Sequence, residues 1–276
     1  MRISEWINLG CFSFFTILAL LRPPGRPRRS AVIGICSVGI GAIIAIAQFG
    51  KYVFTPFTLS VVRDWLPALL LLVPYWVAGL FFSGANEKLQ SRLLRFDYVL
   101  LSHFRPLWPG GRVRRWLLAY LEFAYAICYL IVPLAIGVLY LGHMGIYADR
   151  FWSTVLLPTY ISFIALPFFP TLPPRVLDSQ PAQRNSKSKI RHLNLWILQH
   201  ASIRVNTFPS GHVAASVSAA LALLPLMPAV GLLFVLIAIS IALGAVIGRY
   251  HYAADALLAA AIAVATFILE WWFWWG

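Results

Sequence analysis

Eight apolar runs alternate along this chain with polar, mostly basic connectors. They cover roughly Trp6–Leu21, Ala31–Phe49, Trp65–Phe82, Trp116–Leu141, Phe151–Phe169, His212–Met227, Ala229–Gly248 and Ala254–Trp275. Each is continuously apolar over close to the length a bilayer-crossing helix needs, about twenty residues. None alternates at every second position, as the strands of a membrane barrel would. The pattern predicts an all-α, polytopic transmembrane helical bundle of about eight spans. Trp6–Leu21 has no basic start and no small-residue cleavage site, so it reads as a span and not as a removable signal.

Composition agrees. The chain has 276 residues, 61% hydrophobic and 11% charged, whereas a soluble domain is about 45–50% apolar and about 25% charged. There is too little polar surface to coat a globule, so lipid is the solvent for most of it. Eleven tryptophans fit the aromatic belts at membrane interfaces; "EWWFWW" near the C-terminus is read this way. The cysteines Cys11, Cys36 and Cys128 lie inside apolar runs at unrelated spacings. That argues for packing residues and against a disulfide framework or a thiolate metal site.

The connectors carry the polar chemistry. "RPPGRPRRS" (Arg22–Ser30) is short and basic. The stretch 83–115 contains an amphipathic segment, with Leu93, Leu94, Tyr98, Leu101 and Phe104 set against charged neighbours, expected to lie flat in the interface. The stretch 170–207 is long, polar and basic, too long for a structureless link. Asp97 is expected on a solvated face. Glu122, near the start of an apolar run, is expected at the interface in a structural pair near Arg115. His103, His143, His192 and His200 lie in connectors or at their edges and are read as solvated or interfacial, not catalytic.

Two clusters stand apart. "FPSGHVAAS" (Phe208–Ser216) places Ser210, Gly211 and His212 where the sixth run begins. "GRYHYAADAL" (Gly248–Leu257) holds Arg249, His251 and Asp255. Two helices of roughly twenty residues, out and back, fill the interval between the histidines, so both should sit at one membrane face. If the last helix has begun by His251, the four-residue spacing puts Asp255 on the same helical face. The carboxylate would then take the proton of one imidazole nitrogen and leave the other free to attack. The connector 170–207 ends at this face and brings Arg175 and Arg204. Guanidinium groups match phosphate oxygens in bidentate fashion, and a Ser-Gly helix start adds backbone N–H donors and a favourable dipole. This constellation reads as a phosphate site, with His251 as nucleophile and His212 as the acid on the leaving oxygen. A His-His-Asp metal site is the alternative at these residues, but neighbouring arginines would repel a cation; no metal or cofactor is expected. A non-enzymatic anion transporter would need polar or broken helices at mid-membrane, and this chain has prolines there (Pro74, Pro133, Pro158) but few polar groups.

The "PSGH" element followed by a His-x-x-x-Asp cluster resembles the type 2 phosphatidic acid phosphatase (PAP2) superfamily, and "LPFFPTLPPR" at the end of the fifth run resembles the first motif of its inositol phosphorylceramide synthase branch. The resemblance implies a six-helix core over residues 65–276, with residues 1–64 as two added helices. It also implies a phosphohistidine intermediate and a lipid phosphate or pyrophosphate substrate. Carried over by position, Ser210, Gly211 and His212 match the second motif, His251 and Asp255 the third, and Arg175 the first-motif arginine. Phe168 stands where the first motif has a lysine and Ala245 where the third has an arginine, with Arg249 as its expected replacement. Phosphatase and head-group transferase both remain open, as does oligomeric state. Membrane lipids are the expected partners, and nucleic acid is not.

Eighteen of the twenty-two Lys and Arg residues fall on the face that carries the two clusters; the other face has only Arg2, Lys51, Arg63 and Arg150. Connectors rich in Lys and Arg stay in the cytoplasm. The expected localisation is multi-pass in a cell inner membrane, with the catalytic face cytosolic.

Overall fold

A computed structural model describes residues 1–21, 28–104, 110–177, 189–205 and 207–275. Among the described residues there are helices and no strands. They are α1 (Ile3–Leu21), α2 (Arg29–Phe49), α3 (Pro56–Leu70), α4 (Leu72–Leu80), α5 (Glu87–Phe104), α6 (Gly111–Ile127), α7 (Ile131–Leu141), α8 (Ala148–Ala165), α9 (Pro174–Leu177), α10 (Lys189–His200), α11 (Gly211–Leu223), α12 (Pro228–Ile247) and α13 (Ala253–Trp275). The protein is an all-α, multi-pass membrane protein.

Among the described residues, five helical segments are long and apolar enough to cross a membrane: Ile3–Leu21, Arg29–Tyr52, Pro56–Leu80, Pro228–Ile247 and Ala253–Phe273. The fourth predicted run is not one straight helix. It is α6 and α7, bent by 70° across a short break. Pro133 lies three residues into α7 and has no N–H to return to Tyr129, which removes a helical hydrogen bond at the break.

The sixth predicted run also differs. Its helix, α11, has 13 residues and so is about 20 Å long, because Pro225 and Pro228 follow its end and cannot continue it. It packs on α7, α8, α12 and α13, and a helix enclosed by protein need not match the bilayer thickness. Gly244 lets α12 approach α6 closely, since a Cβ there would meet the Leu121 carbonyl.

α8 is the central helix, packing on α1, α11 and α13, with Phe151, Trp152, Val155, Leu156 and Tyr160 buried around it. It also anchors α1. Asp149 accepts from the amides of Ile3 and Ser4 at 3.0 Å each, satisfying two of the amides a helix start leaves open. Deeper in, the Tyr160 hydroxyl donates to Asn8 Oδ1 at 2.7 Å. Glu5 pairs with Arg63 at 2.7 Å, and Arg2 pairs with Asp64. One apolar core runs continuously from α1 and α2 into α8, α11 and α12.

Two amphipathic helices lie at the opposite end. α5 buries Leu93 and Asp97 and exposes Phe96, Tyr98 and Phe104; α10 buries Arg191, Asn194 and Leu198 and exposes Leu193 and Trp196. Asp97 therefore does not sit on a solvated face. The cysteines Cys11, Cys36 and Cys128 are buried and unpaired as thiols.

Candidate active site

The first cluster starts α11. Ser210 is its N-cap, with its Oγ accepting from the Val213 amide at 3.3 Å. This is the usual work of a serine at that position. Ser210 is fully buried, so its hydroxyl serves the helix. Gly211 follows because nothing larger fits: a Cβ there would fall on the ring of Phe163. His212 comes next, with the rings of Tyr129, Tyr75 and Tyr125 at 5.1, 5.8 and 6.3 Å between centroids.

The second cluster is the link from α12 to α13. α12 ends with Arg249 in the left-handed region, φ 63°. The Tyr250 amide reaches back to the Ala245 carbonyl at 2.9 Å and the Arg249 amide to the Val246 carbonyl at 3.1 Å. This is a helix-terminating motif that usually places glycine where Arg249 stands. It reverses the chain, so the His251 amide also bonds the Ala245 carbonyl, at 3.0 Å. Ala245 is fully buried, which leaves no room for the arginine that the family motif has there.

His251 precedes α13; it is not in its first turn. The expected pair forms all the same, because Asp255 reaches back along the chain. His251 Nδ1 is 3.2 Å from Asp255 Oδ2 and 3.2 Å from the Thr207 carbonyl. Asp255 Oδ2 also accepts from the Tyr252 amide at 3.1 Å. Two acceptors at Nδ1 require the proton there, so Nε2 keeps its lone pair. The clusters are tied directly, the Ser210 amide donating to the Asp255 carbonyl at 3.3 Å. The rings of His212 and His251 stand 6.0 Å apart at 80°. Burial and then the nearby Arg175 charge push the His251 pKa down to about 3, so the imidazole is neutral near pH 7.

A narrow cleft opens over this pair, lined by Arg175, Arg204, Thr207, Gly211, Tyr250 and both histidines among others. Arg175 lies in α9. Its amide bonds the Arg249 carbonyl at 3.0 Å, and its guanidinium is 5.7 Å from the centre of the Tyr250 ring. Arg204 is exposed at the cleft and donates through Nε to the Gln199 carbonyl at 3.0 Å, a bond to the end of α10.

Of the sequence-predicted site residues, the structure brings together His212, His251, Asp255, Arg175, Arg204 and Gly211. It does not bring Arg249 to the cleft. Arg249 pairs with Asp97 Oδ2 at 2.7 Å, while Asp97 Oδ1 accepts from the Ala253 amide at 2.7 Å. Asp97 thus holds both the reversal before His251 and the start of α13. Phe168, where the family motif has a lysine, is exposed and packs near Phe14 at 6.4 Å. The connector 170–207 also holds the basic stretch "SKSKIR" (Ser186–Arg191), a further candidate by sequence for the phosphate site; Ser186–Ser188 lie outside the described residues, and Arg191 is taken up by Glu122. Glu122 is buried, with Arg191 as partner and not Arg115. Sequence reasoning passed over Tyr250, Tyr125, Tyr75 and Thr207; in the sequence the three tyrosines show only as aromatic enrichment.

These features define a multi-pass helical membrane protein with a carboxylate-oriented histidine facing a second histidine at one end of the bundle. The sequence profile of the PAP2 superfamily matches residues 91–269, more than half of the chain, and the protein belongs to that superfamily. The match runs from α5 into α13, takes in both histidines, Asp255, Arg175, Arg204 and Gly211, and leaves α1–α4, with Tyr75, outside it. Membership implies phosphatase-type chemistry on phosphate substrates. No curated protein and no solved structure matches the chain.

Proposed function

We propose that this protein is an integral membrane lipid phosphatase or phosphotransferase that works through a phosphohistidine. The observation that carries the reading is the state of His251. Its Nδ1 is engaged by Asp255 and the Thr207 carbonyl, so its nucleophilic nitrogen is Nε2, with His212 across the cleft. Arg175 and the first amides of α11 would hold the non-bridging oxygens of a phosphate. Nε2 of His251 attacks phosphorus and forms the N–P bond as the bond to the leaving oxygen breaks. Burial and then His251 hold the His212 pKa down to about 3 in the free enzyme, so His212 takes up its proton beside the bound phosphate anion and gives it to the leaving oxygen. In the second half, neutral His212 takes a proton from the incoming hydroxyl as its oxygen attacks phosphorus and the N–P bond breaks, restoring His251.

Water as the incoming group makes the protein a phosphatase. A lipid alcohol, or a transferred phospho-head group, makes it a synthase of the inositol phosphorylceramide type. We read α1 and α2 as additions to a six-helix catalytic core, and the basic catalytic face as cytosolic. Purified protein assayed on a panel of lipid phosphates, with and without an alcohol acceptor, separates the two activities by reading free phosphate and new lipid together. Failure to trap, during steady turnover, a labelled phosphoprotein that is stable to base and labile to acid, as a phosphohistidine is, would overturn the covalent mechanism.

A further inference from the structure

Glu122 is a buried carboxylate that the proposed reaction does not use. Three side chains converge on it. Arg191 Nη1 lies 2.5 Å from Oε1. The Tyr250 hydroxyl and Asn194 Nδ2 lie 2.6 and 2.9 Å from Oε2. Asn194 also donates to the Glu122 carbonyl at 2.8 Å. A carboxylate out of water is tolerated when it is paired and hydrogen-bonded in this way, and here it fastens α10 to α6.

The third donor connects this cluster to the cleft. Tyr250 directly precedes His251 and lines the cleft. Its ring stacks on Tyr125 at 4.0 Å, with 6° between planes. Stacking fixes the ring plane, and the bond to Glu122 fixes the hydroxyl end, so the phenol cannot swing or slide. Arg175 rests against this fixed ring at 5.7 Å, close enough for a cation–π contact, with its Nη1 3.5 Å from the Tyr250 carbonyl.

We infer that Glu122 and Tyr250 are positioning residues for Arg175. They hold an aromatic shelf on which the guanidinium is pre-arranged to receive a phosphate, so that a long flexible side chain need not be ordered on binding. The inference rests on the reading of Arg175 as the phosphate ligand.

The test uses the full chain in detergent micelles and two readouts: calorimetric binding of inorganic phosphate, and turnover of a lipid phosphate. Tyr250→Phe keeps the ring and removes only the bond to Glu122. It should weaken phosphate binding about tenfold, beyond the modest fall in melting temperature that losing one bond to a buried carboxylate brings. In an Arg175→Ala background the same change should have no further effect, because the two act as one unit. The paired variant Glu122→Gln with Arg191→Met removes both charges together, leaves no ion buried alone, and should weaken phosphate binding to a similar degree. If Tyr250→Phe and the paired variant lower only the melting temperature, or their losses add fully to that of Arg175→Ala, the shelf is overturned. Wild-type protein that binds phosphate through Arg175 without turning over any lipid phosphate would overturn the proposed reaction and leave the shelf standing. Wild-type protein that binds no phosphate would overturn both.

Discussion

His212 and His251 are 39 positions apart in the chain and 6.0 Å apart ring to ring. Two helices of unequal length separate them, α11 with 13 residues and α12 with 20. The rings meet because the chain turns back at Arg249 and carries His251 toward the start of α11.

The roles of the two histidines separate by leaving group. His251→Ala should abolish turnover on every substrate with the fold intact. His212→Ala should lower kcat by about 10²–10⁴-fold on a lipid phosphate, and much less on an aryl phosphate, whose leaving oxygen needs no proton. Asp255→Asn should be severe on both, since His251 loses its orienting acceptor. Steady-state rates on the two substrate types decide it; folded His251→Ala with near-normal rates would contradict the mechanism.

The acid side of the pH profile follows from the depressed His251 pKa. A base whose pKa lies near 3 is neutral, and able to attack, at all pH values well above it. The acid limb of kcat/KM, which reports groups in the free enzyme, should therefore show no loss from His251 protonation between pH 7 and pH 5. The arm to measure is an aryl phosphate with His212→Ala, where His251 is the remaining imidazole in the chemistry. A fall centred near pH 6.5, the ordinary histidine value, would show that His251 is not shielded as the structure has it.

Arg249 should behave as a structural residue. Arg249→Ala leaves the buried Asp97 carboxylate without its cation, at a cost of about 3–5 kcal/mol, so the melting temperature should fall clearly. The folded remainder should keep its phosphate affinity within a small factor. Arg175→Ala should show the reverse, with phosphate binding weaker by about a hundredfold and little change in melting. Thermal scans and phosphate titrations of both variants compare them directly.

Sidedness is open to a labelling experiment. Ser91 is exposed on α5, at the catalytic end. Ser91→Cys, with Cys11, Cys36 and Cys128 replaced, should resist an impermeant thiol reagent added to intact cells and react once the membrane is opened. Labelling of intact cells would place the catalytic end outside and defeat the argument from basic connectors.

Much of this architecture could be read from the chain by itself. Long apolar runs must become helices in lipid, where every backbone group needs an internal partner; that requirement is local, so hydropathy reports it. The pairing of His251 with Asp255 is also local, four residues apart, and survives even though α13 begins only at Ala253. The shared face of the two histidine clusters followed from counting helices between them.

What tertiary structure alone decided is which charges do chemistry and which hold the fold. Arg249 and Arg175 are equivalent as letters, both beside the site in sequence or by motif. Arg249 is claimed by Asp97, 152 residues earlier, and Arg191 by Glu122, 69 residues earlier, whereas Arg175 is left against the cleft on Tyr250. A charge taken out of water must find a partner of opposite sign, and the partner's identity depends on which helices are brought side by side. Local pattern carries no trace of that choice, because it is made by packing between segments far apart in the chain.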